Sequence, residues 1–221
     1  MNDKGIHLSR DEIKAILNEK ETEKLKQVTR VVLSDEQLLQ EILQGIKSKP
    51  ESYRYNCYKV ALQICKEYPK RLYPFWDYFV EFLKSPNAYH RMAAITLIAH
   101  LTSVDKKHKF EIIFENYFHF LDDQSMIVAR YLAISAGIIA VNKSVLRERI
   151  IEKLLKIDTT HHQEGRKDLI KHDIIQTIRM IFTKLTEKEK IISFIENQVH
   201  CSSPKTRQAA KAFLDQWKII E

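Results

Sequence analysis

Aligning the chain on Arg54, Arg91, Arg130, Lys171 and Arg207, which stand 37, 39, 41 and 36 residues apart, brings one pattern into register. Three, four, seven and ten residues beyond these cations come Cys57, Tyr58, Ala61 and Ile64, then Ala94, Ile95, Ile98 and Leu101. The next units supply Ala133, Ile134, Gly137 and Ala140, Ile174, Ile175, Ile178 and Ile181, and Ala210, Lys211, Leu214 and Trp217. These places share one stripe of a 3.6-residue helix, and only Lys211 departs from apolar or small. Small residues at the third place let a neighbouring helix come close. Ahead of each stripe lies another amphipathic stretch, near 34–48, 71–85, 107–121, 144–157 and 187–200. Pro50, Pro86 and Pro204 mark the turn in three units, and Asp122 with Asp123, or Asp158, mark it in the others. Proline disfavours helix in the residue before it and is tolerated where a helix begins. The pattern predicts five helical hairpins.

Residues 1–33 read as a helical N-terminal cap, its helix opening at residue 9, ahead of the repeats at 34–221. Ser9 followed by Glu12 is a capping box, and Ile13, Ile16, Leu17, Leu25 and Val28 supply the apolar face. A charged stretch near 21–23 predicts a break. Ser34 with Gln37 predicts the same capping device at the next helix.

A single hairpin leaves an apolar face uncovered, and stacking on neighbours supplies the core, so a recurrence of this length implies a solenoid. SPNAYHRMAAITLIAHL and CSSPKTRQAAKAFLDQW resemble the second helix of a HEAT repeat: a turn, an arginine or lysine, then alanines among larger aliphatics. That resemblance implies an all-α, right-handed α-α superhelix, in which Arg54, Arg91, Arg130, Lys171 and Arg207 meet an aspartate or carbonyl oxygens in the turns of adjacent repeats. It also implies that the second helices line a concave face. Their fifth and ninth places after the cation would then look inward, which nominates Lys59, Gln63, Thr96, His100, Ser135 and Gln176 for partner contact. Only one lysine stands among the ten residues of that row, a poor groove for a polyanion and a better one for a peptide or protein helix. The implied function is a non-catalytic scaffold that binds a protein or peptide.

Composition agrees with helices: four glycines and five prolines leave little material for strand turns. The N-terminal segment MNDKGIHLSRDE lacks the apolar run of a secretory signal, and the longest apolar run, at 131–141, is far short of the roughly 20 residues of a membrane span. The expectation is a cytoplasmic protein without membrane contact. Cys57, Cys65 and Cys201 have neither zinc-site nor redox-pair spacing and read as small core residues.

A net charge of +7 raises an alternative reading, nucleic-acid binding. Residues 144–186 carry nine lysines and arginines against six acidic residues, a net +3, whereas the other segments are near balance. Arg147, Arg149, Lys153, Lys156, Arg166, Lys167 and Lys171 would form the patch. The middle of the chain also resembles alkylpurine DNA glycosylases with HEAT-like folds, in which tryptophans, an aspartate and an arginine grip DNA. Arg91 fits that pattern. Asp77, beside Trp76, lies in the immediately preceding helix, too close to match the family's aspartate. YLAISAGIIA stands where a tryptophan belongs, and Trp217 is near the end. Without those residues the support for base excision is missing, and the chain is expected not to be an enzyme.

No phosphate-cradling or zinc-protease motif occurs, and no cofactor is expected. His161, His162, Glu164, Asp168 and His172 form one cluster. Asp168 and His172 would share a helical face if that helix began early, but adjacent His161 and His162 would point apart on a helix, so no metal site is expected. Aromatic stripes Phe75, Phe79, Phe82 and Phe110, Phe114, Tyr117, Leu121 read as core, with Trp76 beside Val80 and Leu83. Tyr53, Tyr55, Tyr73 and Tyr78 remain candidates for exposed anchors.

Overall fold

The computed structural model describes residues 8–19 and 23–218, and among them every regular element is helical. The chain forms two compact units, Met1–Val104 and Asp105–Glu221. In the first lie α1 (Arg10–Asn18), α2 (Leu25–Ser34), α3 (Glu36–Gly45), α4 (Glu51–Glu67), α5 (Pro69–Leu72), α6 (Trp76–Phe82) and α7 (Ala88–Leu101). In the second lie α8 (Lys109–Phe118), α9 (Met126–Asn142), α10 (Arg147–Leu154), α11 (Glu164–Ile181), α12 (Lys188–Glu196) and α13 (Pro204–Lys218). None of the described helices is long and apolar enough to cross a membrane.

Within the first unit α3 pairs with α4 and α6 with α7, while α4 packs on α7. The first helices are joined by Tyr78, whose hydroxyl donates to the Leu43 carbonyl at 3.1 Å. Helices α1 and α2 both cover α4. Buried Asn56 of α4 ties this cap down by donating to the Leu17 and Glu19 carbonyls at 3.0 and 2.8 Å. Those carbonyls end α1 and would otherwise go unpaired.

The second unit repeats the arrangement, with α9 on α11 and α11 on α13. The approach of α9 to α11 is close because Gly137 has no side chain: a Cβ there would stand 3.2 Å from Thr177 Oγ1. Thr177 donates across the same seam to the Ala133 carbonyl at 2.6 Å.

Local chemistry follows the sequence with four corrections. Ser9 and Glu12 do form the capping box. Ser34, however, ends α2, and Asp35 caps α3 by accepting from the Leu38 amide at 2.9 Å, a carboxylate being as good an acceptor one place later. Phe75 is half-exposed because Tyr73–Phe75 is a 3-10 turn, whose different pitch swings Trp76 into the core instead. Ile134 is 45% exposed rather than part of the buried stripe. Cys57 and Cys65 are buried, with their thiols raised by burial, but Cys201 is only partly covered. The break expected near 21–23 falls partly outside the described residues, as does the chain start at 1–7.

Candidate functional site

The five aligned cations do two different jobs. Arg54 Nη1 donates to the Ser48 and Lys49 carbonyls, at 3.2 and 3.3 Å. Arg91 Nη1 does the same to Ser85 and Pro86 at 2.8 and 2.9 Å, and Arg207 Nη1 to Cys201 and Ser202 at 2.8 and 2.9 Å. In each case these two acceptors lie six and five residues back, so the guanidinium closes its own hairpin turn. Arg130 does span hairpins: Nε and Nη2 grip Asp173 of α11 at 2.6 and 3.2 Å. Lys171 reaches Asp158 of its own hairpin at 2.6 Å. A helix end exposes unpaired carbonyls, and one guanidinium satisfies two of them. Arg91→Ala should therefore lower stability by about 1.5 kcal/mol, read by urea unfolding, the usual scale of a hydrogen bond from a charged donor.

The row nominated as an inner face is only partly accessible. Thr96 is 7% and Ser135 1% exposed, so neither can serve as a contact. Thr96 instead donates to the Met92 carbonyl of its own helix. Helix α7 is covered from Met92 to Ala99. Lys59, Gln63 and His100 are half-buried, and Gln176, in the other unit, is exposed.

His100 shows what that partial cover does. Burial first, then the charge of Lys66, hold its imidazole down at about 4. An unfolded histidine titrates near 6.5, so the unfolded chain takes the proton first. Stability is full above that value and is lost as pH falls toward about 4. Unfolding midpoints measured across this interval should fall on acidification, and His100→Gln should flatten part of the fall. His90 and His172 are lowered by burial in the same sense and add to the fall.

A shallow groove of the first unit lies at the entrance to α4 and α7. Tyr55 and Tyr89, each 48% exposed, flank a groove floored by Ile46, Tyr58, Met92 and Ala93, with Arg54 and Glu51 at its edge. A continuation past Glu51, Ser52 and Asn56 shares the same two tyrosines. Arg54 lies 5.3 Å from the Tyr89 ring centre and Lys59 4.6 Å from that of Tyr55, so both rings are held by cations. Tyr55, Lys59, Gln63 and Lys66 follow at helical spacing along α4. Of the tyrosines expected as anchors, Tyr55 is exposed while Tyr53, Tyr73 and Tyr78 are half-covered. Tyr89 carried no periodic signal, since it precedes the aligned arginine.

The basic segment of the second unit is largely paired. Arg149 and Lys153 both bind Glu115, Lys167 meets Glu164 and the Asp158 carbonyl, and Lys171 meets Asp158. Arg147 Nε donates to the Ala140 carbonyl. Lys156 and Arg166 are exposed. Charges already neutralised by carboxylates release few counterions on meeting a phosphate chain. Of the residues weighed against the glycosylase pattern, Arg91 donates to its own turn, Trp76 is 1% exposed, and Trp217 lies against Phe182 and Phe213.

His161 and His162 do not lie on a helix. Helix α11 starts only at Glu164, and in the turn before it the two rings lie side by side, 4.5 Å between centres, next to Asp122. Asp168 and His172 do not join them: Asp168 instead accepts from the Ser202 amide and hydroxyl at 2.8 and 2.6 Å.

Comparison with known protein families, curated proteins and solved structures finds no match to this chain.

Proposed function

We propose that this protein is a non-catalytic scaffold of HEAT-like hairpins that binds a protein or peptide through the Tyr55–Tyr89 groove. The observation that carries the reading is the pair of half-exposed tyrosines, each held by a cation, over an apolar floor. Tyrosine and arginine are enriched among residues that dominate binding energy, because they bring large apolar area, few rotatable bonds and a polar end. Lys59 and Gln63 extend the surface along α4, and Lys59 and Lys66 favour a partner with acidic residues beside its anchoring side chain. The nucleic-acid alternative loses support from the ion pairs of the 144–186 segment.

A photo-crosslinking residue in place of Tyr89 should capture one discrete partner from a lysate, and the same residue in place of Ile112, 80% exposed on α8, should not. Equal labelling at both positions, or none at Tyr89, rejects the groove as the docking surface.

A further inference from the structure

Between the hairpin formed by α8 and α9 and the entry to α11 lies a cluster that the scaffold reading does not use. Asp122 ends the 3-10 turn His119–Asp122, and the two histidines arrive 39 residues later. Asp122 Oδ1 accepts from the His161 amide at 2.8 Å and from its ring Nδ1 at 2.5 Å. His162 Nε2 stands 3.1 Å from the Leu121 carbonyl oxygen. A carbonyl only accepts, so Nε2 carries the hydrogen and the neutral ring keeps its lone pair on Nδ1. One donor atom from each of Asp122, His161 and His162 lies within 4.8 Å of the other two.

We propose that Asp122, His161 and His162 form a binding site for a divalent transition-metal ion of the zinc class. Two imidazoles and one carboxylate are a donor set that zinc and its neighbours accept, at bond lengths of about 2.0–2.2 Å. Donors around such an ion stand roughly 3.3–3.5 Å apart. If His161 ligates through Nδ1, metal binding displaces the hydrogen that this nitrogen shares with Asp122 and opens their 2.5 Å contact toward that separation. The Leu121 carbonyl behind His162 matches the outer partner that metal-bound histidines usually have, which fixes the tautomer and the ring's orientation.

Burial divides the site into a wall and a door. His162 is 4% exposed, whereas the side chains of His161 and Asp122 are 50% and 42% exposed. The ion enters from the side of His161 and Asp122 and rests against His162. Three protein ligands leave a fourth position for water or for a partner's side chain. Bound there, the ion bridges the α8–α9 turn and the start of α11, so it stabilises the second unit as well as occupying it. The competing description is a hydrogen-bonded histidine–aspartate clasp that takes no ion.

Titration of the metal-free full-length chain with Co²⁺ separates the two. One equivalent should bind with the visible absorption of a low-symmetry cobalt site, Zn²⁺ should displace it, and the unfolding midpoint should rise. Asp122→Asn and His161→Gln, at exposed positions that folding tolerates, should each weaken binding by about tenfold or more. His200→Gln, at an exposed position away from the cluster, should leave binding unchanged. Absence of stoichiometric Co²⁺ and Zn²⁺ binding by the folded chain overturns the proposal. Binding that survives both Asp122→Asn and His161→Gln overturns it equally.

Discussion

Replacing Lys143 by methionine should lower the stability of the second unit by about 3–5 kcal/mol, the scale for stripping one partner from a buried ion pair. Lys143 sits where α9 ends, with 8% of its side chain exposed. Its Nζ reaches the Asp105 carboxylate at 2.9 Å, the Asp105 carbonyl at 2.9 Å and both Glu111 oxygens at 3.2 Å. Asp105 has a fully covered side chain and also caps α8, accepting from the Lys109 and Phe110 amides at 3.0 Å each. The lysine therefore closes the α8–α9 hairpin at the end opposite its turn. Methionine keeps the apolar stem but removes the ammonium that faces the Asp105 and Glu111 carboxylates. Urea unfolding measures the loss. The double variant Lys143→Met with Asp105→Asn should be less damaged than the sum of the two single changes, since both remove one interaction. Strict additivity would show that the pair contributes nothing.

An effect of similar size, about 3–5 kcal/mol, is expected for Trp76→Ala in the first unit. The indole is 1% exposed and lies 5.8 Å from the Tyr73 ring, at the point where the 3-10 turn passes into α6. Truncation leaves a cavity of several heavy atoms between α6 and its neighbours, which close packing fills only in part. Trp76→Phe should recover much of the loss. If Trp76 instead served a ligand, alanine would spare the unfolding midpoint and abolish binding; the burial predicts the reverse order of effects.

The apolar stripes were legible because burial between stacked hairpins imposes one period on every second helix. Ala94, Ala133 and Ile174 could be placed from spacing alone, and each is buried. The accessible row was not legible, for a reason visible in AYHRMAAITLIAHL. That helix is apolar on almost every side, so spacing cannot say which face meets solvent, and Thr96 proves covered. The same holds in α9, where Ser135 is buried and Ile134 is not. Contacts across dozens of residues left no local trace either. Lys143 meets Asp105 where one hairpin closes, and His161 meets Asp122 where α11 packs on α9; each pair is nearly one repeat apart, and only the fold brings its members together. Arg54, Arg91 and Arg207 share one local task legible from their spacing, donating to two carbonyls of the turn just before each.

The groove and the basic segment also explain why net charge was a weak guide. A count of +7 cannot tell a bare lysine from Lys153 on Glu115, whereas the pairings can. What remains distinctive is a small aromatic surface on the first unit, built by residues just inside α4 and α7. Its worth is a matter of affinity. Calorimetric titration of the crosslinked partner, once purified, against the wild-type chain and the Tyr55→Ala, Tyr89→Ala double variant tests it most directly. A loss of at least about thirtyfold, equivalent to some 2 kcal/mol, is the predicted result, with the far-ultraviolet dichroism of the variant unchanged. Equal affinity in the two proteins would contradict the account.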